Sequence, residues 1–524
     1  MSDAPGRRSL GVALVLVAGG CAGAGSGAPH LGAPIDPRSQ PKTAPIGIEL
    51  VGDVPPQVAS MTGRIWSLAA RARRLQPRAP VKLQVLSPSA LVGVVKAHVK
   101  DDVPADMIRA EGRCFETLGL LPPHYEYEKE TYALLEEELA GLYMPDDRTM
   151  YVATGIADDE LEATLSHELV HALQDQHFQI GARMKYKPGA ADALGALQGL
   201  AEGDATSAMI DEVILARKGE EGLAAMSAPD LPDRDAEDFL RESLGDKRPD
   251  AAIRRAPRFL ALDLVSPYAD GLAFVNALRR RGGWDAVDMA WQKPPVTSEQ
   301  LLHVDKFDAY EPAVEVPVAT AGALGAGWSK TYDDVFGEGA GRLAFGEWMS
   351  VATSKRAAAG WGGDRVTMFE KGGDHAVAWR IVFDDDAQAK EAATALEVGW
   401  TSAFGAPQQT GSASILALVF GGAVAPLAPP VDATPAGKKP GALSSPKPAK
   451  KPAGSVEAGG TLPPLPEATP TPTSTALPSA GAAPAKTPLP GCHALVRAGR
   501  AVTLLAGAPC GVAAAWSTEM GKAP

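Results

Sequence analysis

Positive charge is in short supply. The 524-residue chain sets 50 Lys and Arg against 63 Asp and Glu, for a net charge of −13 and a pI near 5.3. A chain of that balance carries no basic footprint for nucleic acid. Its charge favours solubility and leaves the fold open. The N-terminal apolar run, Leu10 to Ala18, is broken only by Gly11. It falls well short of the ~20 residues a helix needs to cross a bilayer. Cysteine is scarce, at four, and His and Tyr number nine each, so candidates for metal binding and proton transfer are few. There is no internal repeat. Proline and glycine, at 45 and 55, are not scarce, so part of the length is not packed core. What remains is still too long for one core and predicts at least two domains.

Arg7 and Arg8, the short apolar run, and the small residues before Cys21 describe a secretory signal over residues 1–20. Val17 to Cys21 resembles a bacterial lipobox, with Ala18 where that motif usually has Leu. The resemblance implies that Cys21 becomes a lipidated first residue and that the lipid is the protein's only membrane contact. Cleaved, soluble export is the alternative. The expected location is the envelope, or else the periplasm or the medium. Residues 21–45, rich in Gly, Ala and Pro, read as a flexible tether. Cys492 and Cys510 flank a hairpin-like segment. An exported chain permits a disulfide there, and two buried thiols are the alternative. Cys114, at helical spacing beside Ile108, Phe115 and Leu118, reads as a core residue.

The expected fold class is α+β in two domains. Residues 46–315 form the first. Val58 to Arg74 has helical character, and Val81 to Leu86 alternates as a strand does. Ser87 caps a helix to about Val99 with Pro88 at its first position, and another helix spans about Ala105 to Leu118. Glu138 to Tyr143 and Thr149 to Ala153 flank Pro145-Asp146-Asp147-Arg148 as a hairpin. A long helix follows, with Asp159 and Glu162 at capping-box spacing. The second domain takes residues 320–420 and 491–515, with strands at 365–370 and 377–383 and a helix at 386–396. Trp361, Asp364 and Arg365 read as a structural turn. Residues 421–490, dominated by Pro, Ala, Gly, Ser, Thr and Lys, read as a disordered insert.

The chemistry concentrates in Ser166-His167-Glu168-Leu169-Val170-His171. Two His at i and i+4 share one helix face and can reach one metal. Glu168, beside the first, can take a proton from a water on that metal. Zinc is the expected ion, since it acidifies such a water and polarises a carbonyl. Leu161, Leu165, Leu169 and Leu173 form an apolar stripe that should bind this helix to a core.

A third protein ligand is needed, and there are two candidates. His177 would complete H-E-x-x-H-x-x-G-x-x-H, the metzincin signature, but Gln174 stands where that pattern has Gly. Without the Gly the helix continues, and His177, about 600° beyond His171, points away. Glu202 is the better candidate. It lies in a second helix, about Ala190 to Arg217, beside the apolar face of Leu194, Leu197, Ala201, Ala205 and Met209. A buried carboxylate needs a partner, and two His plus one Glu is a ligand set of catalytic zinc.

With Glu202 the arrangement resembles the gluzincin metallopeptidases. More widely, the chain resembles a largely uncharacterised group of bacterial metallopeptidase-like proteins. That resemblance rests on Leu142-Tyr143, His167 to Phe178, Glu202-Gly203-Asp204-Ala205, Tyr268 to Phe274, Gly282-Gly283-Trp284, Pro294 to His303 and Gly360 to Arg365. It spans roughly residues 110–400. It implies a zincin-like fold and a zinc site at His167, His171 and Glu202, and brings no substrate; hydrolysis of a peptide or protein substrate with Glu168 as general base is the expectation that the H-E-x-x-H motif itself carries. The resemblance also implies an acidic residue behind the ligands. Thr206 holds the family's usual place for it, so Asp204 is the candidate. The developing oxyanion takes a Tyr or His donor in gluzincins, and Tyr268 and His303 are the candidates. Tyr268 is expected to open a helix through Leu278, and His303 to follow a helix capped by Ser298. An inactive relative that only binds a partner is the rival reading, against which the presence of Glu168 argues.

Overall fold

The computed structural model describes residues 47–244, 252–412, 415–420 and 491–522. The signal, the tether, Cys21 and the 421–490 insert lie outside the described residues. The architecture is α+β and holds two sheets. The first takes the strand order β1 (Ile48–Val51), β2 (Val81–Leu86), β4 (Thr149–Ala153), β3 (Gly141–Met144). β1, β2 and β4 run parallel, and β3 runs antiparallel along β4 at the edge. Parallel neighbours need crossovers. These are α1 (Pro56–Arg73) after β1, then α2 (Pro88–Asp102), α3 (Ala105–Thr117) and α4 (Tyr127–Glu138) after β2. Ser87 caps α2 as expected, its hydroxyl accepting from Ala90 N at 3.2 Å. The β3–β4 hairpin turns where the sequence placed it, with Arg148 at φ 55° and Thr149 N donating to Asp147 Oδ1 at 3.1 Å. Glu138 belongs to α4 instead of the hairpin.

α5 (Asp158–Phe178) lies on this sheet. The Leu161, Leu165, Leu169 and Leu173 stripe is buried against Val81, Leu83, Met150 and Val152 of the strands and Ile65 and Trp66 of α1. Each buried Leu contributes roughly 1.5–3 kcal/mol, enough together to fix which face of α5 points inward. The capping box is not formed. Ala157 is the N-cap, Glu162 reaches Arg64 at 3.0 Å, and Asp158 accepts from Gln57 at 3.1 Å. Acidic Asp158, Asp159 and Glu160 in the first turn suit the helix dipole instead.

Two long helices, α6 (Ala191–Ala225) and α7 (Arg258–Gln292), pack on each other and on α5. α6 bends at Gly219 and α7 at Gly282-Gly283, where Gly219 and Gly283 adopt positive φ of 69° and 62°. Tyr268 does not open a helix. It sits inside α7, just after Pro267, which can donate no hydrogen bond to the Asp263 carbonyl, and the Ser266 hydroxyl donates to that oxygen at 3.3 Å. The short helix Ser298–Leu302 is capped by Thr297, whose hydroxyl accepts from Gln300 N at 3.1 Å, and not by Ser298.

The second sheet is antiparallel throughout, in the order β5 (Ser329–Asp334), β6 (Trp361–Lys371), β7 (Asp374–Phe383), β11 (Ala501–Ala508), β10 (Cys492–Ala498), β9 (Ile415–Phe420), β8 (Gln408–Ser412). Helices α8 (Gly337–Phe345), α9 (Val351–Ala358), α10 (Asp386–Phe404) and α11 (Cys510–Lys522) accompany it. Cys492 and Cys510 form a disulfide between β10 and the start of α11, and Cys114 is a buried free thiol. Trp361, Asp364 and Arg365 lie on strand β6, not in a turn. Their role is structural all the same. The buried Asp364 carboxylate accepts from Trp361 Nε1, Trp379 Nε1 and the amides of Phe336 and Gly337 at 2.8–3.1 Å. The expected boundary near residue 320 falls between the strands of the first sheet and those of the second. Arg113 of α3 pairs with Glu370 of β6 at 2.9 Å, and Phe115 packs on Phe336 with ring centroids 5.8 Å apart.

Candidate metal centre

α5 carries His167 and His171 one turn apart, and α6 brings Glu202 across from them. All three side chains are buried. The two Nε2 atoms are 3.0 Å apart, and Glu202 Oε2 lies 2.9 Å from His167 Nε2 and 3.4 Å from His171 Nε2. Ligands at the usual bond lengths around a tetrahedral ion stand roughly 3.3–3.4 Å from one another. The three atoms therefore need to open by only a few tenths of an ångström to hold one ion. Among the described residues, these three form the group of His, Cys, Asp or Glu side chains with metal-ligand geometry.

Glu168, next to the first histidine, lines the same cleft. Its Oε2 accepts from the backbone N–H of Tyr143 on edge strand β3 at 2.8 Å. The Tyr143 hydroxyl donates to Asp175 Oδ2 at 3.2 Å, so the strand is fastened to α5 at two points. The cleft runs between β3 and the segment after α5. It is lined by Leu142, Tyr143 and Met144 of β3, by Ile180, Met184 and Tyr186 of the following segment, and by Glu168, His171 and Glu202. His98, Asp102, Asp146 and Lys185 also line it.

Electrostatics at the site follow from one carboxylate facing two imidazoles out of water. Burial holds His167 below its ordinary value. Burial acts in the same direction on His171, but the Glu202 carboxylate outweighs it and takes His171 up to about 9. Burial alone would raise Glu202; the two histidines bring it down to about 2. In the metal-free protein a proton on His171 thus balances the buried anion. The raised value means that its contribution to stability is complete below pH ~6.5, the unperturbed value, and is lost as pH rises through 9. Glu202 loses its contribution only below pH ~4.3. Chelator-treated protein should therefore melt at progressively lower temperature between pH 6.5 and 9, and His171→Gln should flatten that slope. A wild-type melting temperature constant over the range would show that the site carries no such proton.

The remaining expected residues divide. His177 is turned away, as the uninterrupted helix requires. Its Nε2 donates to the Gln76 carbonyl at 2.7 Å. Asp204 faces away from the ligands. It is ion-paired with the buried Arg73 and accepts from Trp291 Nε1 at 2.7 Å. The reason is angular: two residues beyond Glu202 is about 200° around the helix. Asp204 therefore braces α1, α6 and α7 together and supports no histidine. Tyr268 packs its ring on His167 with centroids 5.6 Å apart, and on Phe239 at 6.2 Å. His303 Nε2 lies 2.9 and 3.0 Å from the two oxygens of Glu338 on α8. Tyr268 therefore sits against one of the three converging side chains, although neither it, His167 nor His303 is among the described residues that line the cleft. The site residues that sequence reasoning missed are Gln174, Tyr143 and Tyr186. Gln174 had a signal, since it lies three positions beyond His171 on the same helix face. Tyr143 lies in one of the stretches that carry the resemblance, which assigned it no role, and Tyr186 reaches the cleft through the tertiary fold and had no signal.

Residues 328–423, from β5 to just past β9, match the family described as "Domain of unknown function (DUF8575)". That stretch holds most of the second sheet and none of the His167, His171 and Glu202 site. No curated protein and no solved structure matches the chain.

Proposed function

We propose that the protein is a zinc-dependent peptidase of zincin-like, gluzincin type, exported and lipid-anchored through Cys21, that hydrolyses peptide bonds in the cleft beside β3. One observation carries the reading: His167, His171 and Glu202 converge on a single point, and Glu168 stands in the same cleft. The sheet supports it, with a short antiparallel edge strand running beside the cleft. An extended peptide can pair with such an edge. Zinc, when bound there, supplies the Lewis acidity that polarises the scissile carbonyl and makes a water nucleophilic near neutral pH. Glu168 takes the proton of the attacking water and passes it to the leaving amine. The Tyr143 amide fixes that carboxylate's orientation. Tyr268, whose ring packs on that of His167, is the candidate donor to the developing oxyanion.

The test combines metal analysis with a peptide-library digest read by mass spectrometry. Wild-type protein should hold about one zinc per chain and cut a subset of the library. Glu168→Gln should keep the zinc and lose roughly 10²–10⁴ in turnover. Zinc without cleavage of any peptide would leave a binding protein on a peptidase frame. No zinc at all would remove the reading.

A further inference from the structure

We infer that Gln174 is the positioning residue of the metal centre: it selects the tautomer of His171 and ties that ligand to the helix bearing Glu202. The inference rests on the metal-site reading above and concerns how the chain prepares the site.

Gln174 is fully buried on α5. Its side-chain Nε2 donates to the carbonyl of Ala201 at 2.9 Å, and its Oε1 lies 2.8 Å from His171 Nδ1. The two contacts determine each other. A backbone carbonyl can only accept, so the amide must present its NH₂ group to Ala201. That places the amide oxygen against His171. An amide oxygen also only accepts, so His171 Nδ1 must carry the hydrogen. His171 Nε2 is then the nitrogen left to face His167 and Glu202, and in a neutral ring it holds the free lone pair. An imidazole with the opposite tautomer would leave two acceptors in contact inside the core.

The second contact has a separate consequence. Ala201 immediately precedes Glu202, so one amide spans the two helices that supply the ligands. A shift of α6 against α5 that would move Glu202 must also break the Gln174–Ala201 bond. Asp204 cannot take this part, being turned toward Arg73 and Trp291. Gln174 thus stands where the sequence lacks the glycine of the metzincin pattern. The same residue that keeps α5 helical, and so sends His177 away, orients the ligand one turn before it.

The experiment compares wild type, Gln174→Met and Gln174→Glu for zinc affinity by chelator competition. It also records the His171 ring resonances of the zinc-loaded protein by long-range ¹H–¹⁵N NMR. Wild type should show His171 protonated at Nδ1, with a slowly exchanging N–H, and bound through Nε2. Gln174→Met, of similar volume but without polar atoms, should weaken zinc by roughly 10–100-fold and lose the slow N–H exchange. Gln174→Glu keeps the acceptor for Nδ1–H while losing the Ala201 bond, so it should recover part of the affinity. Equal losses in both variants, with the Nδ1–H signal retained in both, would mean that Gln174 only braces the helices, and would overturn the assignment. So would wild-type His171 bound through Nδ1, or a Gln174→Met variant that binds zinc as tightly as wild type. Wild-type protein that binds no zinc would instead overturn the metal reading itself, a result distinct from the others.

Discussion

Glu202→Ala should strip zinc nearly as completely as His171→Ala, while His177→Ala keeps about one zinc per chain. Glu202 is the only anion among the three buried side chains that would hold the ion. Without it a divalent cation would face two neutral imidazoles in a poorly solvated site, where an uncompensated charge is severely penalised. The loss should therefore exceed the roughly 10–100-fold that an outer partner costs. Zinc should leave on dialysis. His177 offers the contrast because its ring is spent on the Gln76 carbonyl at 2.7 Å on the far side of α5. Equilibrium dialysis with metal analysis decides the matter. Stoichiometric zinc retained by Glu202→Ala, or lost by His177→Ala, would put the third ligand elsewhere.

Much of this site was legible in the sequence because helical geometry is local. The i, i+4 histidines, the inward leucine stripe and the outward turn of His177 all follow from 3.6 residues per turn. The same arithmetic, applied to Asp204, would have ruled it out as a partner of the ligands, since it lies two residues past Glu202. The resemblance to gluzincins suggested it instead. Gln174 departs from the metzincin glycine, and three residues past His171 on one helix face it is also within hydrogen-bonding distance of that ring. Helix α4 went unseen because its buried face includes Thr131 and Glu138 beside Tyr127, Leu134 and Leu135, which blurs the apolar period. α6 runs past the expected end at Arg217 because Gly219 bends it at positive φ and the helix resumes. What no local pattern holds is the meeting of distant segments. Tyr143 and Glu168 meet only because β3 settles at the sheet edge over α5. His303 looked available in sequence, and Glu338 of α8, 35 residues on, occupies it.

The second large effect concerns how Glu202 is held. Gly203 and Gly271 face each other where α6 crosses α7, and each approaches backbone. A Cβ at Gly203 would lie 2.0 Å from the Gly271 carbonyl oxygen and 2.7 Å from Leu272 N. One at Gly271 would lie 1.9 Å from the Gly199 carbonyl oxygen and 2.9 Å from Gly203 N. Flexible side-chain tips could swing aside, but here backbone meets backbone, so a methyl group requires the helices to part. Parting them loosens the core of Leu197, Leu200, Ala201, Phe274, Val275 and Trp291 packed around the crossing. Gly203→Ala should therefore cost at least the upper end of the ~1–3 kcal/mol typical of overpacking, and Gly203→Val more. Gly195→Ala, on the same helix with open space around the added carbon, should be neutral or gain roughly 0.5–1 kcal/mol from helix propensity. Because Gly203 adjoins Glu202, the displaced helix should also carry the carboxylate off the histidines. Gly203→Ala should then weaken zinc binding even where the protein stays folded. Denaturant unfolding of the three variants, with zinc affinity measured on each at a temperature where it is folded, checks both parts. If Gly203→Ala unfolds at the same denaturant concentration as Gly195→Ala, the close crossing does not set the position of α6, and Glu202 must owe its place to the Gln174–Ala201 link alone.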